Sequence, residues 1–281
     1  MKPSKAYAHK RVDANIINQD GYTGKGKVIS MSMLSVENIR LSYQTDTAET
    51  HAIKDVSFTV NEGEFIGIVG PSGCGKSTLL SCIAGLTYPT EGRVLLDGKK
   101  VEGVSENIGY MLQTDNLLPW RSVWRNVLLG LEIQKKLDAD SKAYVTQLLK
   151  KYDLWDFRDS YPSALSGGMR QRVSLIRTLA VKPRLLLLDE AFSALDYQTR
   201  INVSRDVYRI LRREKKTMIM VTHDIPEAVA MSDKVIVLSS RPAVVASVTE
   251  CDFGPERDPV TVRTDSRFQH YFDRVWKEMS Q

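Results

Sequence analysis

The sequence predicts an α/β protein organised on a mostly parallel sheet, and three observations carry that expectation. The runs Phe65 to Val69, Leu185 to Leu188 and Met218 to Val221 are almost continuously apolar, as strands buried on both faces are. Mixed polar and apolar stretches suited to helices lie between them, including one from Tyr197 to Arg213, so strands alternate with helices. A glycine-rich turn, Gly70 to Gly75, stands between the first buried strand and an expected helix from Lys76.

Each remaining element follows in order. Leu34 to Tyr43 and Ile53 to Val60 are β-like runs with alternating character. Gly92 to Leu96, the Asp97-Gly98 turn and Lys99-Lys100-Val101 read as a hairpin. Residues 121 to about 160 lack Gly after Gly130 and Pro until Pro162, which suits helices. Phe268, Tyr271, Phe272, Val275 and Trp276 recur at helical spacing and predict a small packed C-terminal helix within 268–279.

Composition bounds the function. With 281 residues, 42% hydrophobic and 26% charged, the chain can bury a core without disulfide or metal staples. Its apolar runs are strand-sized, far short of the roughly 20 residues a membrane helix needs. Cys74, Cys82 and Cys251 are odd in number and widely spaced, which fits a reducing cytoplasm. The formal charge is +5, and six basic against two acidic residues within 1–33 supply most of it. The remainder is near neutral, so no nucleic-acid partner is indicated. The 1–33 leader reads as a mobile or mis-annotated extension, with Met31 and Met33 as alternative starts, or as a segment touching an anionic leaflet.

Gly70-Pro71-Ser72-Gly73-Cys74-Gly75-Lys76-Ser77-Thr78 is a complete G-x-x-x-x-G-K-[ST] match between strand and helix. Its glycines let backbone N–H groups point inward, the helix start adds positive potential, and Lys76 reaches the outer phosphates of a nucleotide. Ser77 then offers a hydroxyl to Mg²⁺. Cys74 is either a small neutral filler or a redox switch. About 110 residues later, Leu185 to Leu188 runs into Asp189-Glu190 at a strand's C-terminal edge, where ligands bind in open α/β sheets. Asp189 is placed to hold Mg²⁺ and Glu190 to polarise an attacking water, the pairing of parts that nucleoside triphosphate hydrolysis uses.

Leu165-Ser166-Gly167-Gly168-Met169 precedes an expected helix, Arg170 to Ala180, and makes a second anion-binding helix start. One nucleotide needs a second such end only when it comes from another subunit. At these residues the sequence resembles the ATP-binding cassette (ABC) family, over Leu34 to about Leu238. The resemblance implies a P-loop NTPase cassette: a mostly parallel core sheet, an antiparallel β subdomain and an α-helical signature subdomain near 115–170. It implies an ATPase domain over 34–240, with a short strand and helix extension over 241–281. Tyr43 matches the aromatic residue that stacks on adenine, although it is also a plain strand residue. Gln113 matches the glutamine loop, which joins the Mg²⁺ shell, or is a surface glutamine. Ser193-Ala194-Leu195-Asp196 matches the D-loop, with Asp196 also suited to cap the next helix. His223 matches the switch histidine, or is an ordinary capped histidine. Ala191, Met169 and Ala164 depart from the usual residues, and none of them touches a phosphate in the family pattern.

Leu117-Leu118-Pro119-Trp120 is either core or a groove for a membrane partner's helix. With Leu238 to Pro242 and Asp258-Pro259-Val260, it resembles the ATPases of nitrate, sulfonate, taurine and bicarbonate importers, a group that also serves vitamin precursors. The implied partners are ATP, a second cassette, two transmembrane permease subunits and, indirectly, an external solute-binding protein. The implied place is the cytoplasmic side of the membrane. An exporter ATPase and a soluble non-transport cassette are the alternatives; paired cassettes or a coiled-coil insertion would favour the latter, and neither occurs in these residues.

Overall fold

A computed structural model describes residues 32–44, 49–193, 195–254 and 256–280. The leader through Met31 and Ala194 of the 193–196 run lie outside them. Strands β1 (Leu34–Gln44) and β2 (Glu49–Val60) pair antiparallel, Leu34 opposite Val60. The second strand starts before the expected Ile53 because polar Glu49, Thr50 and His51 continue the ladder opposite Gln44, Tyr43 and Ser42.

Next comes β3 (Phe65–Val69), followed by α1 (Lys76–Ile83). Then β4 (Glu91–Leu96) and β5 (Lys99–Lys100) close the expected hairpin. Its turn residues Asp97 and Gly98 have φ of 51° and 73°, the twist that joins two strands through two residues. Parallel strands β6 (Ile108–Met111), β7 (Leu185–Asp189), β8 (Thr217–Val221) and β9 (Lys234–Leu238) flank β3 in the order β9-β3-β8-β7-β6. Strand β10 (Ala243–Glu250) pairs antiparallel with β9 and parallel with β2. It thereby joins both sets into one sheet, β5-β4-β1-β2-β10-β9-β3-β8-β7-β6.

The unbroken apolar runs divide between two cores. Leu186, Leu188, Met218 and Met220 enter one, and Leu185, Leu187, Ile219 and Val221 the other. A strand covered on both faces has no solvent side to demand polar residues. The first core is shared with α2 (Val123–Val127), α3 (Leu129–Ile133), α4 (Ala139–Lys151), α5 (Gly167–Ala180) and α6 (Tyr197–Arg213). The second is shared with α1 and the antiparallel strands. A third joins α7 (Ile225–Met231) to β9 and α8 (Ser266–Met279).

Two helices differ from expectation. Helix α5 starts at Gly167 rather than Arg170, because Ser166 Oγ accepts from Met169 N at 3.3 Å and begins the first turn there. In α8, Phe268, Tyr271, Phe272 and Val275 pack inward while Trp276 is exposed and stacks on Phe272. Among the described residues no helix is long and apolar enough to cross a membrane.

Candidate active site at the ends of the parallel strands

The loop 70–75 leaves β3 at its C-terminal end and turns into α1. Gly75, at φ 113°, is the residue before the helix, a conformation that L side chains rarely adopt. Helix α1 starts without a side-chain cap, whereas Ser166, Asp196 and Asp224 each cap α5, α6 and α7. The first N–H groups of α1 are therefore left to an external acceptor, and a phosphate is the acceptor that such a helix end favours. Lys76 is buried, its ammonium donating to the Gly70 and Pro71 carbonyls at 2.9 and 3.1 Å. Three donors on one ammonium leave it able to reach a ligand from that seat. Pro71 is half-buried, Ser72 and Gly73 are exposed, and Cys74 is buried. Burial pushes the Cys74 thiol up, so it is neutral at pH 7.

Ser77 Oγ donates to Asp189 Oδ1 at 3.0 Å, which joins the loop to the end of β7. Burial holds the Asp189 carboxyl above the ordinary aspartate range, and hydrogen bonds from Ser77 and Tyr110 oppose that shift. A hydroxyl and a carboxylate oxygen this close supply the hard oxygen donors that suit Mg²⁺. Gln113 Nε2 faces Glu190 Oε2 at 3.3 Å and Ser193 Oγ at 3.5 Å, and its amide oxygen remains as a further donor atom of the same class.

Glu190 follows β7 at φ 45°, the left-handed region that a glutamate enters only when its surroundings hold it there. Its N–H bonds Val221 O at 2.9 Å, across the end of β8. His223 Nδ1 lies 3.3 Å from Glu190 Oε2, so Glu190, His223 and Gln113 converge on one carboxylate oxygen. Contacts of this length tighten on substrate in many active sites. Tyr43, near the end of β1, is exposed with its hydroxyl 3.5 Å from Thr78 Oγ1, above the start of α1.

The signature residues lie at a different helix end. Leu165 and Gly168 are buried, Ser166 and Gly167 are exposed, and Met169 is half-buried. A Cβ on Gly168 would stand 2.9 Å from Thr199 Cγ2, so α5 and α6 approach closely only without one; on Gly167 the nearest atoms are 3.9 Å away. Asp196 caps α6 through Thr199 N at 3.0 Å.

The apolar 117–120 segment divides. Leu117 belongs to the first core, Leu118 is half-buried, Pro119 is exposed, and Trp120 is 72% exposed. Fully buried Asn126 builds this turn, accepting from Leu118 N at 2.8 Å and donating to the Leu118, Arg121 and Ser122 carbonyls.

Sequence reasoning missed several residues. Tyr110, on β6 beside β7, donates to Asp189 Oδ2 at 3.0 Å, so both carboxylate oxygens of Asp189 are held. Gln171 of α5 donates to the Ala191 carbonyl. Arg170 and Arg177 grip the segment after Gln113 through the Asp115 carboxylate and the Asp115 and Asn116 carbonyls. Tyr110 stands three residues before Gln113, and that nearness was its only signal; the others find their partners across the fold.

An uncapped helix behind a glycine-rich loop, a lysine in its seat and a Ser77–Asp189 pair at the edge of a parallel sheet define a P-loop nucleotide-binding protein. The chain belongs to the ABC transporter family, whose model matches residues 53–193. It is 46% identical over 255 residues to the ABC transporter ATP-binding protein YtlC of Bacillus subtilis, covering 89% of this chain and 96% of that one. It is 36% identical over 247 residues to the nitrate transport protein NasD of Klebsiella oxytoca, covering 86% and 94%. Among solved structures it matches a dimeric structure of the bacterial ABC transporter cassette MJ0796, with TM-score 0.69 and 31% identity over 79% of this chain and 100% of that one.

Proposed function

We propose that this chain is the ATP-hydrolysing subunit of a membrane importer for a small oxyanion-type solute, with nitrate, named for the relative NasD, as the first candidate. The observation that carries the reading is the convergence of the uncapped α1, Lys76, the Ser77–Asp189 pair and Glu190 at the ends of β3 and β7. Residues 34–240 form the ATPase domain, with the helical subdomain near 115–170, and 241–281 extend it. Two copies pair head to tail, so that Ser166, Gly167 and Gly168 of one meet the γ-phosphate held by the other; that the MJ0796 cassette is dimeric supports a pair of copies.

Tyr43 stacks on adenine, and the N–H groups of 70–78 with Lys76 hold the phosphates. Ser77, Asp189 and Gln113 are the residues that would hold Mg²⁺, which when bound offsets charge on the phosphate oxygens. Glu190 takes a proton from water as the water oxygen attacks the γ-phosphorus. The bond from that phosphorus to the bridging oxygen breaks, giving ADP and phosphate. His223 and Gln113 keep the Glu190 carboxylate aimed. In each copy the Leu117 to Trp120 region, through its exposed Pro119 and Trp120, anchors one of two permease subunits on the cytoplasmic side of the membrane, and through them the ATPase serves an external solute-binding protein.

Substituting Glu190→Gln tests this. Turnover falls about 10²- to 10⁴-fold while ATP binding, measured by equilibrium dialysis, persists. Near-normal turnover refutes the assignment of Glu190, and recovery from membranes without two multispanning proteins refutes the importer role.

A further inference from the structure

Arg200, on the first turns of α6, has no counterpart in the roles described so far. Its guanidinium spans two loops of the site. One end donates to the carbonyls of Ser193 and Leu195 at 3.3 and 3.0 Å, and the other meets Asp224 Oδ2 at 3.3 Å. Both ion-pair partners are mostly buried, with 22% and 21% of their side chains exposed.

Each segment held by Arg200 carries half of the Glu190–His223 pair. On the first, Ser193 Oγ donates to the Glu190 carbonyl at 2.9 Å, and Ser193 N bonds the same carbonyl at 3.0 Å. On the second, Asp224 Oδ1 caps α7 through Glu227 N at 2.9 Å, and Asp224 N donates to Thr222 Oγ1 at 3.1 Å. The Thr222 hydroxyl donates in turn to buried Glu227 at 2.7 Å, and Thr222 N bonds Ile68 O of β3 at 3.2 Å. His223 thus stands between two anchored neighbours, while its own side chain is 57% exposed and tied only to Glu190.

We propose that Arg200 is a positioning residue that locks the turn carrying Ser193 and Leu195 to the 222–224 segment before α7, so that movement of the D-loop resets the Glu190–His223 pair. This rests on the ATPase reading above. The fork is essential to the device: a planar guanidinium reaches a carboxylate and two carbonyls at once, and an ammonium on a flexible stem does not. A D-loop that meets the other cassette would report closure to His223 by this route, without any contact between Arg200 and the nucleotide.

The experiment is a double-mutant cycle on the full chain, using Arg200→Met, which keeps the apolar stem and removes the fork, with His223→Ala. Alone, Arg200→Met lowers kcat by roughly tenfold to a hundredfold and leaves KM for ATP within about twofold. In the His223→Ala background it lowers kcat by less than about twofold, because the residue it aims is gone. Arg200→Lys recovers little of the loss. Where Arg200→Met does not fold, Asp224→Asn keeps the α7 cap, removes the ion pair and shows the same non-additivity. Parent-like turnover in Arg200→Met, or losses that multiply in the double variant, overturns the proposal. Parent turnover insensitive to Glu190→Gln instead removes the ATPase reading, and the proposal with it. Sensitivity to Glu190→Gln with an additive cycle removes the proposal alone.

Discussion

The two helix starts to which the proposed function assigns phosphates are built to opposite rules. At the phosphate loop, Lys76 is seated on its own loop carbonyls, and Ser77 is bonded to Asp189, which Tyr110 also holds. At the signature, Ser166 caps its own helix, Gly167 is exposed with only ordinary contacts around it, and only Gly168 is pressed against a neighbouring helix. The first end is a preorganised pocket, and preorganisation is what holds a charged ligand without reordering at the moment of reaction. The second is a helix start capped by its own serine, with Ser166 and Gly167 exposed on the surface. The difference teaches that rigidity and completeness are separate: both ends are well ordered, and on the proposed function one of them is completed only by a second copy.

The largest effect comes from separating the two ends between chains. Gly167→Glu places a carboxylate where nothing in the chain obstructs it, at a helix start that accommodates acidic residues. It and Lys76→Ala each lower turnover by about 10²-fold or more. Mixing the two inactive variants restores about a quarter of parent turnover, since random pairing leaves half the dimers mixed and each with one intact site. A mixture that stays inactive breaks the comparison, because both ends would then serve one site within a chain.

A pH measurement sharpens the preorganised side, where a buried carboxylate is only half satisfied. Buried Glu227 accepts from Thr222 through Oε2, while Oε1 lacks a partner. Burial pushes its carboxyl up to about 7, and the Thr222 bond and Arg200 work against that shift. Between the ordinary glutamate value and 7 the folded chain keeps a proton that the unfolded chain has lost. Its contribution to stability is therefore full at low pH and is lost as pH rises through about 7, a change of roughly 3 kcal/mol. Urea unfolding at pH 5 and pH 8 shows a smaller difference in Glu227→Gln than in the parent. Equal differences would mean that Glu227 is ionised throughout.

The smallest effect contrasts the two signature glycines. Gly168→Ala forces Thr199 to shift and costs about 1–3 kcal/mol in thermal unfolding. Gly167→Ala is neutral or stabilises by up to about 1 kcal/mol, since its Cβ meets only ordinary space. Equal costs would remove the view that Gly167 is glycine for a partner and Gly168 for the fold.

Much of this was legible in the sequence because its signals are local. The Gly70 to Thr78 motif, the Asp97-Gly98 turn and Asp196 as a helix cap each depend on residues a few positions apart. The split of Leu117 to Trp120 between core and surface was not legible, since it turns on Asn126 folding the segment back on itself. Trp276 likewise has the right helical spacing for the packed face, yet α8 rolls on Val275 and leaves it outside.

By itself, the sequence determined the parallel sheet, the phosphate loop and the acidic strand end, since periodicity and backbone conformation are properties of short segments. Only the tertiary structure decided which polar groups satisfy one another: Tyr110 on Asp189, Arg200 between Ser193 and Asp224, and α1 left uncapped where α5, α6 and α7 are not. Those pairings join residues far apart in the chain. The direction and spacing of a hydrogen bond are set by packed elements, which local pattern does not encode.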